Sequence, residues 1–390
     1  MSLLIVEVCR VEGVEPHPNA DRMAIARVKG WRTCVIRDPE TGRTQFAEGD
    51  KCVFFPPDSV LPPQLSDRLG VTKYLSPLSI TPEGVRPPGG RVRVANLRGF
   101  KSYGLIMPCE NPDWEIGRNV AEHYGVTKWE PPLRQTDGES EPPYPAFHRY
   151  FDVENIRNFP DLFQDGQEIV ITEKIHGQNA RLGLIRVLND EGRLVWRWMA
   201  GSHDVRRKRF GVDGRESVFW RCFSDPVRRM LCDLALCGFE PDQIDAEPEV
   251  VASQQGRDVI VFGERYGSGV QDMRYGFVEG RFGFRAFDIT VDGQYLDVDV
   301  KTAAFERHGV ETVPLLYRGP YRFDIVEELA EGPTTLCDSA QAGSFAGREG
   351  VVVLPVVETA IATEKHVFSR LQLKCISFAY LSRKDGTEFH

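Results

Sequence analysis

The segment ITEKIHGQNAR (Ile171–Arg181) ends a β-branched apolar run on Lys174 and places His176 and Gly177 directly beyond it. A lysine there is either a surface charge at a strand end or an amine held in place for chemistry. A free ammonium, with an ordinary pKa of about 10.4, is almost wholly protonated at neutral pH and attacks nothing. It becomes a nucleophile when desolvation or nearby positive charge, such as another lysine or a bound cation, favours the neutral amine. Short K-x-x-G matches are abundant by chance, so the segment alone favours the surface charge.

Later segments change that balance. VIVFGERYGSG sets Glu264 at the end of a second apolar strand, beside glycines that let a ligand approach the backbone. FRAFDIT puts Phe287 and Asp288 in a third strand, GREGVVV puts Glu349 at the start of a fourth, and LQLKCIS puts Lys374 in a fifth. An enzyme that attaches a nucleotide to its own lysine needs a nucleophilic amine and carboxylates for a metal and the ribose. It also needs an aromatic ring for the base and a second lysine for the phosphates, all at strand ends facing one groove.

The order K-x-H-G, F-G-E-x-Y-G, F-D-I, R-E-G-V-V and L-K resembles the nucleotidyltransferase motifs of the ATP-dependent RNA ligases, over most of residues 150–390. TEKIHGQN is the most specific piece. The resemblance implies an antiparallel-sheet, ATP-grasp-like ligase domain and a three-step reaction. Lys174 would attack the α-phosphorus of ATP to give a lysyl-AMP, the AMP would pass to a 5′-phosphate RNA end, and a 3′-hydroxyl would displace it.

Carried over by position, catalysis would fall to Lys174, His176 and Lys374. Glu173 and the backbone at Lys174 and Gly177 would read the adenine edge, and Phe287 would stack on the ring. Glu264 would contact the ribose or support a metal, Glu349 would bind Mg²⁺ or Mn²⁺, and His176 and Asn179 would act near the phosphates. Lys374 would meet the α-phosphate. Relatives often end on K-x-K, whereas Cys375 and Ile376 follow Lys374 here, so Lys384 or a nearby arginine is the candidate for the missing charge. In GSHDVRRK the phosphate contact falls to Arg206 or Arg207, without a choice between them. His176 also suits a hydrogen-bonded turn, Phe287 also suits a core position, and Asp288 and Tyr266 read as structural.

Six short β-type runs in the first hundred or so residues, from LLIVEVCRV to YGLIMP, alternate with Gly, Pro, Asn and Asp and predict a small β-barrel or sandwich. HPNAD and LRGFKSYG together resemble the OB-fold tRNA-binding module of some synthetases, with Arg98 and Lys101 as phosphate contacts. HPNAD equally reads as a plain turn. An OB domain ahead of the catalytic domain resembles the Deinococcus-type RNA ligases, which implies sealing of nicked duplexes.

The stretch EPPLRQTDGESEPPYPAF, rich in proline and acid, marks the domain boundary. The expected organisation is therefore α+β: an OB-like domain over 1–130, a linker over 131–147 and a nucleotidyltransferase domain over 148–390. One helical stretch, SVFWRCFSDPVRRMLCDLAL, is predicted between the strands, with Pro226 at a start or a kink.

At 390 residues with 41% hydrophobic content, the chain suits two globular domains. Nine scattered cysteines without a C-x-x-C pair argue against a disulfide framework or zinc knuckle and for reduced thiols in the cytoplasm or nucleus. No export signal and no apolar run near the roughly 18 residues of a membrane helix are apparent. The net charge of −9 opposes a polyanion partner overall, but the run from HDVRRKRF to Arg229 is locally basic, which suits either a phosphate track or a solvated face. Two competing readings stay open: a DNA ligase or GTP-using capping enzyme in the same superfamily, or a non-catalytic RNA-binding scaffold on a degenerate ligase fold.

Overall fold

The computed structural model describes residues 4–383 apart from 79–85, 130–138, 247–249, 339, 342, 344, 363–366 and 369. Residues 131–138 of the expected linker and Lys384 lie outside the described residues. The chain divides into two compact units: Met1–Leu133 with Glu154–Asp161 and Phe378–Phe389, and Arg134–Val153 with Leu162–Ser377.

In the first unit, Lys51–Phe55 pairs antiparallel with Glu7–Arg10 on one side and Leu105–Pro108 on the other. Gly13–Pro16, Met23–Val28 and Trp31–Ile36 form a second antiparallel sheet. WRTCVI alternates buried and open residues, which is what a strand with one face on a core requires. Tyr103 N–H donates to the Arg32 carbonyl at 2.8 Å and Cys34 N–H to Ser102 Oγ at 2.9 Å, tying the second sheet to the segment that leads into Leu105–Pro108. The core contains Val6, Val8, Val53, Phe55, Leu61 and Trp114. Two later segments complete it: Arg157 stacks over Trp31 at 5.2 Å and over Phe378 at 4.2 Å.

The second unit holds a seven-stranded antiparallel sheet, in the order Ser140–Glu141, Arg206–Arg207, Leu194–Ser202, Gln178–Leu188, Val259–Gly267, Phe282–Val291, Gln294–Tyr295. Another sheet runs Leu373–Ile376, Gly350–Pro355, Glu168–Lys174, Leu315–Pro320. Ala180, Leu182, Leu184, Val259 and Val261 turn one face of the larger sheet toward Val227, Met230 and Leu231 of helix Asp225–Leu234. Helix formation begins at Asp225 rather than Ser217, and Trp220–Cys222 is only a 3-10 turn. Pro226 lacks an N–H and fits the first helical turn, so it sets the start.

The other face of the larger sheet looks at the smaller sheet. Tyr150 Oη lies 2.8 Å from Asp288 Oδ2 on one and 3.0 Å from Gln372 Oε1 on the other. Asp288 also takes Lys301 Nζ at 2.8 Å and Arg370, whose guanidinium forks onto Glu358. Burial pushes the Asp288 carboxyl up, but Lys301 and Arg370 outweigh it and hold it below the usual range. Asp288 is thus a structural crosslink. No disulfide joins the nine cysteines. Among the described residues, no helix is long and apolar enough to cross a membrane.

Candidate active site

Lys174 closes the strand Glu168–Lys174 and pairs in register with Gly350. That register sets Glu349, one residue ahead of Gly350, across from the lysine, and Lys174 Nζ donates to Glu349 Oε1 at 2.6 Å. Glu349 is fully buried, and the Lys174 side chain is 14% exposed. Gly350 permits the approach, because a Cβ there would stand 2.2 Å from the Cys375 carbonyl oxygen.

His176, only 1% exposed, is held from three sides. Its N–H donates to Tyr275 Oη at 2.7 Å, Nε2 to Asp272 Oδ1 at 2.7 Å, and Nδ1 faces Glu349 Oε2 at 3.6 Å. Gly177 lies against the Arg265 carbonyl and the Glu264 side chain, and its N–H donates to Glu264. Asn179 is the register partner of Glu264. Its Oδ1 is buried with no hydrogen-bond partner among the described residues, an acceptor awaiting a donor.

Burial, and next the Glu349 charge, push the Glu264 carboxyl up to about 8, against the pull of Lys174. With Lys174 paired to Glu349, the Glu264 carboxyl is thus kept neutral by a proton. Among the described residues no group of three His, Cys, Asp or Glu side chains is gathered for a metal. A divalent cation would therefore take Glu264 and Glu349 together with water or phosphate oxygens, a partial protein ligand set of the kind Mg²⁺ accepts. A cation there would displace the Glu264 proton and leave both carboxylates charged.

The smaller sheet sets Lys374 on the same face as Lys174: Thr172, Val352 and Lys374 are aligned across three strands, and Thr172 is two residues from Lys174. Phe287 occupies a bulge, for Phe262 pairs with Asp288 and Gly263 with Ala286. The extra residue turns the Phe287 ring to the inner face, 5.1 Å from Tyr150, where Ile260 and Phe262 also pack. Glu173 points elsewhere. Its oxygens accept from Thr334 Oγ1 at 2.5 Å, Thr335 N–H at 2.9 Å and Thr335 Oγ1 at 2.7 Å.

Arg206 pairs with Glu141 at 2.6 Å, whereas Arg207 has no ion pair among the described residues and stacks over Phe219 at 5.5 Å. In the first unit, Arg98 and Gly99, both at positive φ, turn the hairpin between Ala95–Leu97 and Phe100–Ser102, and Lys101 faces Asn96. His17 ties HPNAD to this hairpin: Asn19 N–H donates to its Nδ1, and its Nε2 donates to the Leu97 carbonyl, both at 3.0 Å. Asp272, Tyr275, Thr334 and Thr335 escape a reading by strand pattern, since they sit in loops without periodicity. The polar cluster QDMRY was the available signal.

Residues 167–374 match the RNA ligase family and residues 5–109 an OB-fold domain. No curated protein matches the chain. Among solved structures it is similar to Naegleria gruberi RNA ligase. A lysine-to-alanine variant with ATP and Mn is 22% identical, with 98% of this chain and 100% of that one covered at a TM-score of 0.67. A glutamate-to-alanine variant with AMP and Mn is 21% identical, with 99% and 100% covered at 0.67. The form with PPi is 23% identical, with 97% and 98% covered at 0.63. At such identity these likenesses show a shared α+β fold, an OB-fold domain followed by a ligase domain. The family match spans more than half of the sequence and contains Lys174, Glu264, Glu349 and Lys374: the chain belongs to the RNA ligase family.

Proposed function

We propose that the protein is an ATP-dependent RNA ligase that seals 3′-hydroxyl and 5′-phosphate ends, on nicked duplexes as in the Deinococcus-type enzymes, through a lysyl-AMP. The observation that carries this reading is the 2.6 Å contact of Lys174 with buried Glu349 at a strand end, with Glu264 beside it. The solved Naegleria structures with ATP, AMP, PPi and Mn are consistent with it.

In the first step Lys174 Nζ gives up a proton, for which Glu349 Oε1 is the adjacent acceptor, and attacks the α-phosphorus. The N–P bond forms, the α–β phosphoanhydride breaks and pyrophosphate leaves. In the second, a 5′-phosphate oxygen displaces Lys174 and takes the AMP. In the third, the 3′-hydroxyl oxygen attacks the adenylated phosphate and AMP departs. Mg²⁺ or Mn²⁺, held by Glu264 and Glu349, would neutralise phosphate charge when bound.

Phe287 stacks on the adenine, Gly177 borders it, and Asn179 Oδ1 accepts from a ribose hydroxyl; Glu173, held by Thr334 and Thr335, acts behind the pocket by fixing that loop. Lys374 meets the α-phosphate, and His176 positions the transferring group. Arg98 and Lys101 of the OB-fold domain, with Arg206 or Arg207, contact RNA phosphates. Positioning and charge neutralisation supply most of the catalysis in such transfers.

Incubation with α-³²P-labelled ATP and magnesium, followed by a denaturing gel, tests the reading directly. A labelled band in the wild type and none in Lys174→Ala supports it. A folded, AMP-free wild type that labels with neither ATP nor GTP, in magnesium or manganese, would sink it in favour of a binding scaffold.

A further inference from the structure

On the larger sheet, Arg265 follows Glu264 and therefore points to the opposite face from the candidate active site. There it belongs to an alternating row of cations and rings. Arg207 lies over Phe219 at 5.5 Å, Arg265 over the same Phe219 at 5.6 Å and over Phe282 at 5.1 Å, and Arg221 over that Phe282 at 4.8 Å. The row reads Arg207, Phe219, Arg265, Phe282, Arg221.

None of these three guanidiniums has a carboxylate within 4.0 Å among the described residues. This sets them apart in an acidic chain whose other arginines are widely neutralised, as Arg186 is by Asp258, Arg228 by Asp245 and Arg318 by Asp299. The Nε atoms of Arg207 and Arg265 are buried without a hydrogen-bond partner. Arg265 has only the neutral Gln178 Oε1. Burial holds both guanidiniums below their ordinary range, more than the carboxylates at a distance, Glu139 for Arg207 and Glu264 for Arg265, pull them back.

We propose that this row is a docking track for the RNA phosphate backbone, on the face of the ligase unit opposite the nucleotide pocket. Each guanidinium stacks on a ring, Arg207 on Phe219 and Arg221 on Phe282, so it loses less freedom on meeting an anion. A line of three charges suits a polymer of regularly spaced phosphates better than one small anion. Arg221 is exposed and Arg207 half-buried, so these two reach the phosphates. Arg265, only 7% exposed, adds its charge from beneath.

The proposal rests on the ligase reading and is tested apart from it. Affinity of the full chain for a nicked RNA duplex, without ATP, is measured against salt for the wild type, Arg221→Ala, Arg221→Lys and the Arg207→Ala/Arg221→Ala pair. Loss of one phosphate contact reduces the slope of log affinity against log salt by about one. Arg221→Ala is expected to show that reduction, the pair about twice it, and Arg221→Lys a slope near wild type because the charge persists. Wild-type affinity and slope in both alanine proteins overturn the track. So does unchanged RNA binding with weakened binding of a polyglutamate peptide, which assigns the row to an acidic protein partner. Labelling of the same wild-type sample by ATP separates this failure from failure of the ligase reading, which predicts lysyl-AMP whatever the salt slopes.

Discussion

Gly177 lies so close to Glu264 that a Cβ on it would stand 2.9 Å from Glu264 Cγ and 2.3 Å from the Arg265 carbonyl oxygen. The loop after Lys174 can therefore meet the Glu264 strand only through a residue without a side chain. Gly177→Ala is expected to cost about 1–3 kcal/mol in stability by overpacking and to move Glu264 away from Lys174. Urea unfolding and the yield of lysyl-AMP check it; a folded Gly177→Ala protein that labels at the wild-type rate contradicts the steric account.

The buried crosslink at Asp288 holds two cations, Lys301 and Arg370. Asp288→Asn keeps the shape and removes the charge, leaving both cations without their shared partner. A loss of about 3–5 kcal/mol is expected, as for other broken buried pairs. Chemical denaturation measures it, and a change under about 1 kcal/mol would mean that water, not Asp288, carries the compensation.

Glu264 makes stability depend on pH in the protein without nucleotide or metal. Its folded carboxyl, at about 8, holds a proton that an unfolded one releases near 4.5. The contribution is present in full below about 4.5 and is lost as pH rises toward about 8. Thermal melting between these limits should fall more steeply with pH in the wild type than in Glu264→Gln. Parallel curves for the two proteins refute the assignment.

His176 is oriented by Asp272, on a loop, through its Nε2. Asp272→Ala releases the ring and should slow sealing about tenfold, with Asp272→Glu recovering part of it. ATP affinity should change little, since Asp272 is offered as a positioning residue. Equal losses in nucleotide affinity and sealing would instead make it part of the binding pocket.

Chelation provides a separate check on the two carboxylates. EDTA should abolish lysyl-AMP formation, with Mg²⁺ or Mn²⁺ restoring it, and Glu349→Gln should resist restoration because one metal contact and the proton acceptor are both gone. Full labelling in EDTA excludes a metal at Glu264 and Glu349.

The sequence by itself determined the parts and their order. β-branched runs ending in Lys174 and Glu264, and glycines where strands approach closely, are local signals that chain stiffness and alternation make readable. So are the punctuated short strands of the OB-fold domain, whereas the choice between a start and a kink at Pro226 was made only by the fold, which begins the helix at Asp225. Tertiary structure decided which neighbours those parts acquire. Glu349 meets Lys174 across 175 residues because strand register aligns Gly350 with the lysine. Glu173, adjacent to Lys174, turns instead to Thr334 and Thr335 because successive strand residues face opposite sides. Phe287 reaches the inner face through a bulge that breaks the simple alternation. Arg206 is neutralised by Glu141 while Arg207, next to it, is not, a difference that adjacent identical residues cannot reveal until pairing between distant strands gives each its own surroundings.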